Sequence, residues 1–164
     1  MLEQKTTHLT HGHDGDLAVF LIGMRLNKPH RVDLWLPAFR AMGRMISELS
    51  ADQAGAGQLG FLAARPVMGL TGPTVIQYWR SIDDIYAYAN APEHEHRPAW
   101  RDFYRRTREA RGAVGIWHES FAVPAGHHES LYVDMPTIGL AAAFGAVPMV
   151  HRGRTARERL TAPA

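Results

Sequence analysis

Two histidines in apolar surroundings are the side chains of this sequence best suited to chemistry. His118 lies inside the strand-like run 114–121, and His96 lies four residues before Trp100 in a helical segment. Imidazole changes protonation near neutral pH, and its neutral form also binds metals. Each histidine is therefore a candidate catalytic acid or base, or the axial ligand of a haem iron. A core histidine bonded to a backbone carbonyl would give the same pattern.

Aromatic residues near these histidines predict a largely apolar pocket for a small molecule. Alternation along a strand sends Tyr78 and Trp79 to opposite faces, one towards the space between helices and sheet and the other towards a dimer face. Arg80, at the strand end, is expected to anchor an anionic group or to pair with Asp83. The full set of predicted substrate-binding residues is Tyr78, Trp79, Arg80, Trp100, Trp117, Phe61 and Trp35.

The remaining histidines form weaker patterns, and no protein-ligated metal site is predicted. His94 lies between two glutamates and is expected to be solvated. An exposed turn is expected for His127 and His128, and a disordered terminus for the histidines at positions 8, 11 and 13. The sequence contains no HExxH zinc motif, P-loop, GxGxxG or GxSxG pattern. It also has no cysteine, which excludes thiolate chemistry and favours a cytoplasmic location.

Composition indicates one globular domain with no nucleic-acid or membrane partner. The chain has 164 residues, 46% of them hydrophobic, and a formal net charge of +2. Arginines are concentrated in residues 97–111, but the acidic residues among them favour a solvated helix face over a nucleic-acid footprint. The polar N-terminus has no apolar signal core, and no apolar run reaches the roughly 18 residues of a membrane span.

The order of the predicted elements is β-α-β-β-α-β. Periodicity predicts the first strand at 17–26 and an amphipathic helix at 32–49, with Pro37 in its first turn or at a kink. A hairpin then joins strands 59–68 and 74–80. Helical segments follow from Ser81 as N-cap and over 98–108, and the last strands are predicted at 113–123 and 129–133. This order predicts a ferredoxin-like α+β fold, an antiparallel sheet backed by helices on one face.

The uncovered sheet face leads to a prediction of oligomeric state. Both faces of the predicted strands are rich in apolar residues, so a symmetric homodimer would cover the face that lacks helices. The predicted organisation is a disordered segment 1–16, a ferredoxin-like domain 17–135, and a C-terminal arm and flexible tail 136–164. The stretch 136–148 is expected to lie as an arm over the partner.

A set of ordered motifs is spread over about three quarters of the chain. They are residues 20–25, 35–37, 59–62, 76–81, 98–100 and 115–119, extended by 123–126 and 132–136. Through these motifs, residues 19–140 resemble the monooxygenases related to the fumagillin-pathway antibiotic-biosynthesis monooxygenase, within the dimeric α+β barrel superfamily. The resemblance implies a dimeric barrel and oxygenation of a hydrophobic metabolite in secondary metabolism, without fixing catalytic residues.

Three functions are compatible with these observations. The first is a cofactor-independent monooxygenase in which His118 or His96 deprotonates an aromatic or polyketide-like substrate held against Trp79 and Trp100. The second is a haem b enzyme of the aldoxime-dehydratase type, with His118 or His96 as axial ligand. The third is a non-catalytic dimer that binds a small molecule.

Overall fold

The chain forms two antiparallel sheets and five α-helices within the residues that the computed structural model describes, which are 7–108, 110 and 112–161. In chain order the elements are β1 (His8–His11), β2 (Leu17–Leu26), α1 (Val32–Ala54), β3 (Phe61–Gly69), β4 (Gly72–Trp79), α2 (Ile82–Asn90), α3 (His96–Thr107), β5 (Val114–Val123), β6 (Tyr132–Val133), α4 (Leu140–Phe144), β7 (Ala146–Pro148), a 3₁₀ turn (Met149–His151) and α5 (Ala156–Thr161).

The larger sheet has the strand order β3-β4-β2-β5, with all neighbouring pairs antiparallel. Together with α1 between β2 and β3, and α2 and α3 between β4 and β5, this order is the ferredoxin-like βαββαβ topology. The predicted fold class and its C-terminal extension are therefore confirmed. The apolar strand β2 is central, because it pairs along its whole length with β5 and over residues 18–23 with β4.

Helices α1 and α2 cover one face of this sheet through a compact apolar cluster. The cluster consists of the buried residues Ala18, Leu49, Phe61, Trp79, Ile85 and Tyr88. Ser81 caps α2 as predicted, because its hydroxyl accepts a hydrogen bond of 3.1 Å from the backbone amide of Asp84. Helix α1 contains Pro37 beyond its first turn and continues to Ala54, past the predicted end at residue 49.

The opposite face of the sheet, here called the outer face, is covered over only part of its area by the chain itself. Near β4, Gly139 at the start of α4 packs beside the Tyr78 hydroxyl, and its positive φ of 60° suits glycine. Over β2 the Trp117 ring lies directly on Gly23, where a Cβ would collide with it. Trp117 and Phe121 remain 40% and 47% exposed. The stretch 136–148 thus packs on its own chain.

The smaller sheet corrects the expectation that residues up to 16 are disordered. Its strand order is β6-β1-β7, so the described N-terminal residues pair with strands from the far end of the chain. Thr10 and His11 are each only 1% exposed. A short polar strand gains its stability from these distant partners, which no local pattern reveals. Residues 1–6 lie outside the described residues.

The C-terminal residues up to 161 also differ from the flexible tail that the sequence suggested. Arg159, on α5, is 5% exposed and forms an ion pair of 2.8 Å with Glu129. Its guanidinium also donates to the carbonyl oxygens of Gly153 and Arg154, so the buried charge has several partners. Among the described residues, no helix combines the length and the apolar character that crossing a membrane requires.

Candidate functional site

An apolar crevice runs between the helices and the helix-covered face of the sheet. Its inner part has a cavity volume of about 50 Å³ between Trp79, Tyr88 and Gln77, and its middle part a further cavity of about 50 Å³ beside Trp100 and Ile116. Both parts are lined by Ile22, Met42, Met45 and His96, so the two cavities are adjacent and meet at these residues.

The crevice opens towards solvent between α1 and α3. A third cavity, of about 180 Å³, shares Ala38, Ala41, Ala99 and Phe103 with the middle part. Arg44, Asp102 and Arg106 also line it, which makes this outer end polar. The crevice therefore leads from a charged mouth past His96 to an apolar inner end, the arrangement expected of a small-molecule site.

His96 is the titratable group shared by the inner and middle cavities. Its Nδ1 lies 2.9 Å from the carbonyl oxygen of Ala89. A carbonyl only accepts hydrogen bonds, so Nδ1 carries the proton and Nε2 bears the lone pair in the neutral ring. None of the described residues forms a hydrogen bond with Nε2. Burial lowers the pKa of His96, and His118 lowers it further, so the ring is neutral at pH 7 and Nε2 is an available base.

His118 lies on the helix-covered face but near its margin. It is opposite Ile22 on the edge strand β5, and its ring centroid is 5.6 Å from that of Phe20. Alternation thus places it as predicted with Ile116, which lines the crevice. Its side chain is exposed, however, and it does not line the three cavities. His118 influences His96 electrostatically from outside the crevice.

Two of the predicted aromatic residues form walls of the crevice. Trp79 is 1% exposed, and its indole N–H donates to Gln77 Oε1 over 2.9 Å. Trp100 meets the His96 ring edge-on, with centroids 6.2 Å apart and an interplanar angle of 90°. The structure therefore brings Trp79, His96 and Trp100 to one space, from β4 and from α3.

The other predicted binding residues lie elsewhere. Tyr78 and Trp117 are on the outer face, which agrees with the predicted split of Tyr78 and Trp79 between the two faces. Phe61 packs edge-on against Trp79 at 5.5 Å within the core. Trp35 donates its indole N–H to the Pro29 carbonyl and packs against a second apolar cluster. Arg80 is exposed and pairs with Asp84 rather than with Asp83.

Two polar residues of the crevice, Gln77 and Tyr88, were not singled out from the sequence. Gln77 is 6% exposed at the inner end. Tyr88 donates its hydroxyl proton to Glu48 Oε2 over 2.7 Å, and burial raises its pKa. His94, expected to be solvated, instead lies 2.9 Å from Glu48 Oε1 through Nδ1. A polar residue on the apolar face of a strand or helix is the signal that could have indicated Gln77 and Tyr88.

A second histidine cluster lies in the smaller sheet, away from the crevice. His128 Nε2 is 2.8 Å from the Gly15 carbonyl oxygen, and His128 Nδ1 is 2.8 Å from His11 Nε2. Because the carbonyl accepts, this chain orients His11 so that its Nδ1 accepts from the Ser130 hydroxyl, 2.8 Å away. His128, expected in an exposed turn, is buried. Within the described ranges no three His, Cys, Asp or Glu side chains are arranged to hold a metal ion.

Comparisons with known proteins give one family match and several distant likenesses. The family model described as "Monooxygenase af470-like" matches residues 17–140. The protein named "Monooxygenase af470" from Aspergillus fumigatus is 28% identical over 134 residues, which is 76% of this chain and 46% of that protein. The chain thus spans about half the length of the curated relative that it matches.

Solved structures resemble the chain more weakly. A dimeric ferredoxin-like protein from Bacteroides fragilis is 14% identical, with a TM-score of 0.41, and the match covers 64% of this chain and 96% of that one. A protein from Methanosarcina mazei is 11% identical, with a TM-score of 0.42 and coverage of 63% and 91%. These TM-scores are low, so the fold assignment given above rests on the strand order.

Proposed function

The chain belongs to the monooxygenase af470-like family, and from this membership and the crevice at His96 we propose that it is a monooxygenase. Its proposed substrate is a small hydrophobic metabolite, aromatic or polyketide-like, with a C–H group made acidic by a carbonyl, either directly or by conjugation through aromatic rings. The observation that supports this most directly is a neutral histidine whose unprotonated Nε2 borders an apolar, partly enclosed space.

His96 is the proposed general base. Its Nε2 takes a proton from an activated CH₂ group, and the resulting carbanion transfers an electron to O₂. The radical pair combines to form a C–O bond, and the peroxide takes up the proton from His96. Loss of the second C–H proton with cleavage of the O–O bond leaves a ketone and water. One oxygen atom enters the product and the other leaves as water, and the substrate supplies all of the electrons.

The walls of the crevice hold the substrate and keep water from the carbanion. Trp79 and Trp100 offer flat apolar surfaces to an aromatic ring. Gln77 Oε1 is occupied by Trp79, so the amide NH₂ of Gln77 is the donor that would face a substrate oxygen at the inner end. Excluding water strengthens this hydrogen bond and prevents the carbanion from being quenched.

Substrate entry requires α3 to move away from α1. The inner cavities, at about 50 Å³ each, hold no more than a few non-hydrogen atoms of a ligand. None of the residues of α3 is fully buried, whereas α1 buries four. We therefore assign the opening motion to α3, which closes over the bound substrate.

The alternatives receive less support from the same residues. For haem b, the neutral Nε2 of His96 is a suitable axial ligand, but the cavities on either side of it do not accommodate a macrocycle. His118 would have to bind haem at the exposed edge of the sheet. The proposed metabolite also requires the crevice to open, but a macrocycle requires a far larger opening, so the described residues fit haem less well. A non-catalytic binding role remains the outcome if no turnover is found.

We also propose a homodimer that joins two outer faces. The C-terminal extension covers this face near β4, while Trp117 and Phe121 on β5 remain 40% and 47% exposed. A second copy of the chain would bury these rings against the partner's sheet and complete the dimeric barrel that the resemblance implies. The proposed crevice lies on the other face, so each protomer carries its own site.

Oxygen consumption with anthrone as probe tests the proposed activity. Anthrone carries a CH₂ group activated by two aryl rings and a carbonyl conjugated through them, and the proposed reaction converts it to anthraquinone and water. We expect one O₂ consumed for each anthraquinone formed, without added reductant. His96→Gln should reduce the rate about 100-fold or more, and His30→Gln, a change at an exposed histidine, should not. Ligand binding without O₂ consumption would contradict the proposal.

A further inference from the structure

Glu48 connects three parts of the structure just behind His96. Its carboxylate lies on α1 and accepts hydrogen bonds from the Tyr88 hydroxyl at 2.7 Å and from the Glu95 backbone amide at 3.2 Å. The third contact, 2.9 Å, is to His94 Nδ1. Tyr88 belongs to α2, while His94 and Glu95 belong to the turn between α2 and α3. One carboxylate thus ties α1, α2 and this turn together.

The turn bonded to Glu48 leads directly into His96, the first residue of α3. Glu95 is the N-cap residue of α3, but its side chain forms no capping hydrogen bond. The Glu95 amide instead donates to Glu48, one residue before His96. The His94 ring stacks on Tyr88, with centroids 5.1 Å apart, and the same Tyr88 ring lies 6.3 Å from His96. The His96 ring is also held directly by its hydrogen bond to the Ala89 carbonyl oxygen and by the edge-on contact with Trp100.

We propose that Glu48 is a positioning residue, which holds the turn 91–95 against α1 and thereby keeps the His96 ring inside the crevice with Nε2 directed at the substrate. This role rests on the proposed function of His96 as a base. Burial raises the pKa of Glu48, but the hydrogen bonds from Tyr88 and His94 outweigh that effect and lower it. Glu48 is therefore ionised at neutral pH and able to accept from all three donors.

The pKa of His96 distinguishes a positioning role of Glu48 from a purely electrostatic effect of its charge. Removing a negative charge from the neighbourhood lowers a histidine pKa, because the protonated ring loses a favourable interaction. Release of the turn raises it instead, because the ring becomes better solvated and moves away from the environment that lowers its pKa. The charged and titratable groups around His96 in this comparison are His118 on β5, Tyr88 on α2, and His94 and Glu48.

The test is an NMR titration of the His96 ring in Glu48→Gln and in Tyr88→Phe, combined with exchange of the Glu95 amide. We expect the pKa of His96 to rise in both variants and the Glu95 amide to exchange about tenfold faster in Glu48→Gln. Glu93→Gln is the matched control, because it removes a charge at an exposed position of the same turn and leaves the Glu95 amide and the ion pair of Glu95 with Arg44 in place. It should not raise the pKa of His96.

Two results would overturn the proposal. One is faster exchange of the Glu95 amide with an unchanged or lower pKa of His96. In that case the hydrogen bonds of Glu48 would stabilise the turn without positioning the His96 ring. The other is unchanged exchange of that amide. Tyr88→Phe keeps the Glu48 charge, so it still decides the question if Glu48→Gln does not fold. The titration requires no substrate. Absence of O₂ consumption in the wild type would therefore count against the proposed function and not against the positioning role.

Discussion

Protonation of His11 should make the stability of this protein depend on pH between about 7 and 4. His11 is 1% exposed, and its pKa is lowered from 6.5 to about 4, chiefly by burial and further by electrostatic interaction with His128, Arg152 and His13. In the unfolded chain the ring binds a proton near pH 6.5, whereas in the folded protein it does not until near pH 4. The unfolded state therefore binds more protons in this range, and the free energy of unfolding falls as the pH falls.

The expected size of this effect follows from the two pKa values of His11. At about 1.4 kcal/mol for each pH unit between them, the full loss of stability below pH 4 is about 3 kcal/mol. Between pH 7 and pH 5 the loss is about 2 kcal/mol. Protonation at Nδ1 also removes the acceptor of the Ser130 hydroxyl, so the pairing of β1 with its neighbours weakens with it.

Urea unfolding at pH 7 and pH 5, followed by circular dichroism, measures this dependence. The informative variant is His11→Asn, whose side-chain oxygen can still accept from Ser130 but which does not titrate. The variant should be about 1–3 kcal/mol less stable at pH 7, because His128 loses its hydrogen-bond donor. Its free energy of unfolding should also fall less between pH 7 and pH 5 than that of the wild type, by about 2 kcal/mol. His8→Gln, at an exposed position of the same strand, is the control. An equal pH dependence in the wild type and His11→Asn would refute the reasoning.

Three further predictions concern the fold and the assembly. Leu49→Ala removes a side chain that is 1% exposed in the core and should cost about 2–5 kcal/mol of unfolding free energy in a urea titration; a loss below about 1 kcal/mol would contradict that packing. Ser81→Ala removes the cap of α2 and should cost about 1 kcal/mol, whereas Ser81→Asn should retain most of the stability. Phe121→Glu places a charge on the outer face and should convert a dimer to monomers in analytical ultracentrifugation. A wild-type chain that sediments as a monomer would contradict the proposed dimer.

The sequence predicted the larger sheet well because its elements carry strong local patterns. The apolar run of β2, the alternation of β4 and the helical spacing of α1 each require burial on defined faces. The position of Trp79 on the helix-covered face followed from alternation alone. The element order then left the ferredoxin-like arrangement as the simplest topology that pairs all four strands.

The smaller sheet could not be predicted in the same way. Strand β1 is four residues long and polar, and its partners are more than 120 residues away in the chain. Burial of His11 depends on His128 and Ser130, which have no local relation to it. Locally the segment has the composition of a disordered terminus. The order of this segment arises from tertiary contacts, which the local sequence pattern does not reveal.

The candidate site was predicted in part. The spacing of His96 and Trp100 placed them on one helix face, and both line the crevice. Alternation also put His118 on the same face as Ile116, which lines the crevice, but whether the His118 side chain reaches the crevice depends on how far the helices extend over the sheet edge. Glu48 has the sequence context of an ordinary solvated residue on an amphipathic helix, and its role becomes visible only when α2 and the following turn are in place.

The most direct test of the proposed site compares the two histidines in the same assay. Anthrone-dependent O₂ consumption is measured for the wild type, His96→Gln and His118→Gln, with folding checked by circular dichroism. If the crevice is the site, His96→Gln should lose about 100-fold or more of the rate, while His118→Gln should retain most of it, because His118 does not line the cavities. A wild-type rate in His96→Gln, or a loss confined to His118→Gln, would contradict the assignment of the crevice as the active site.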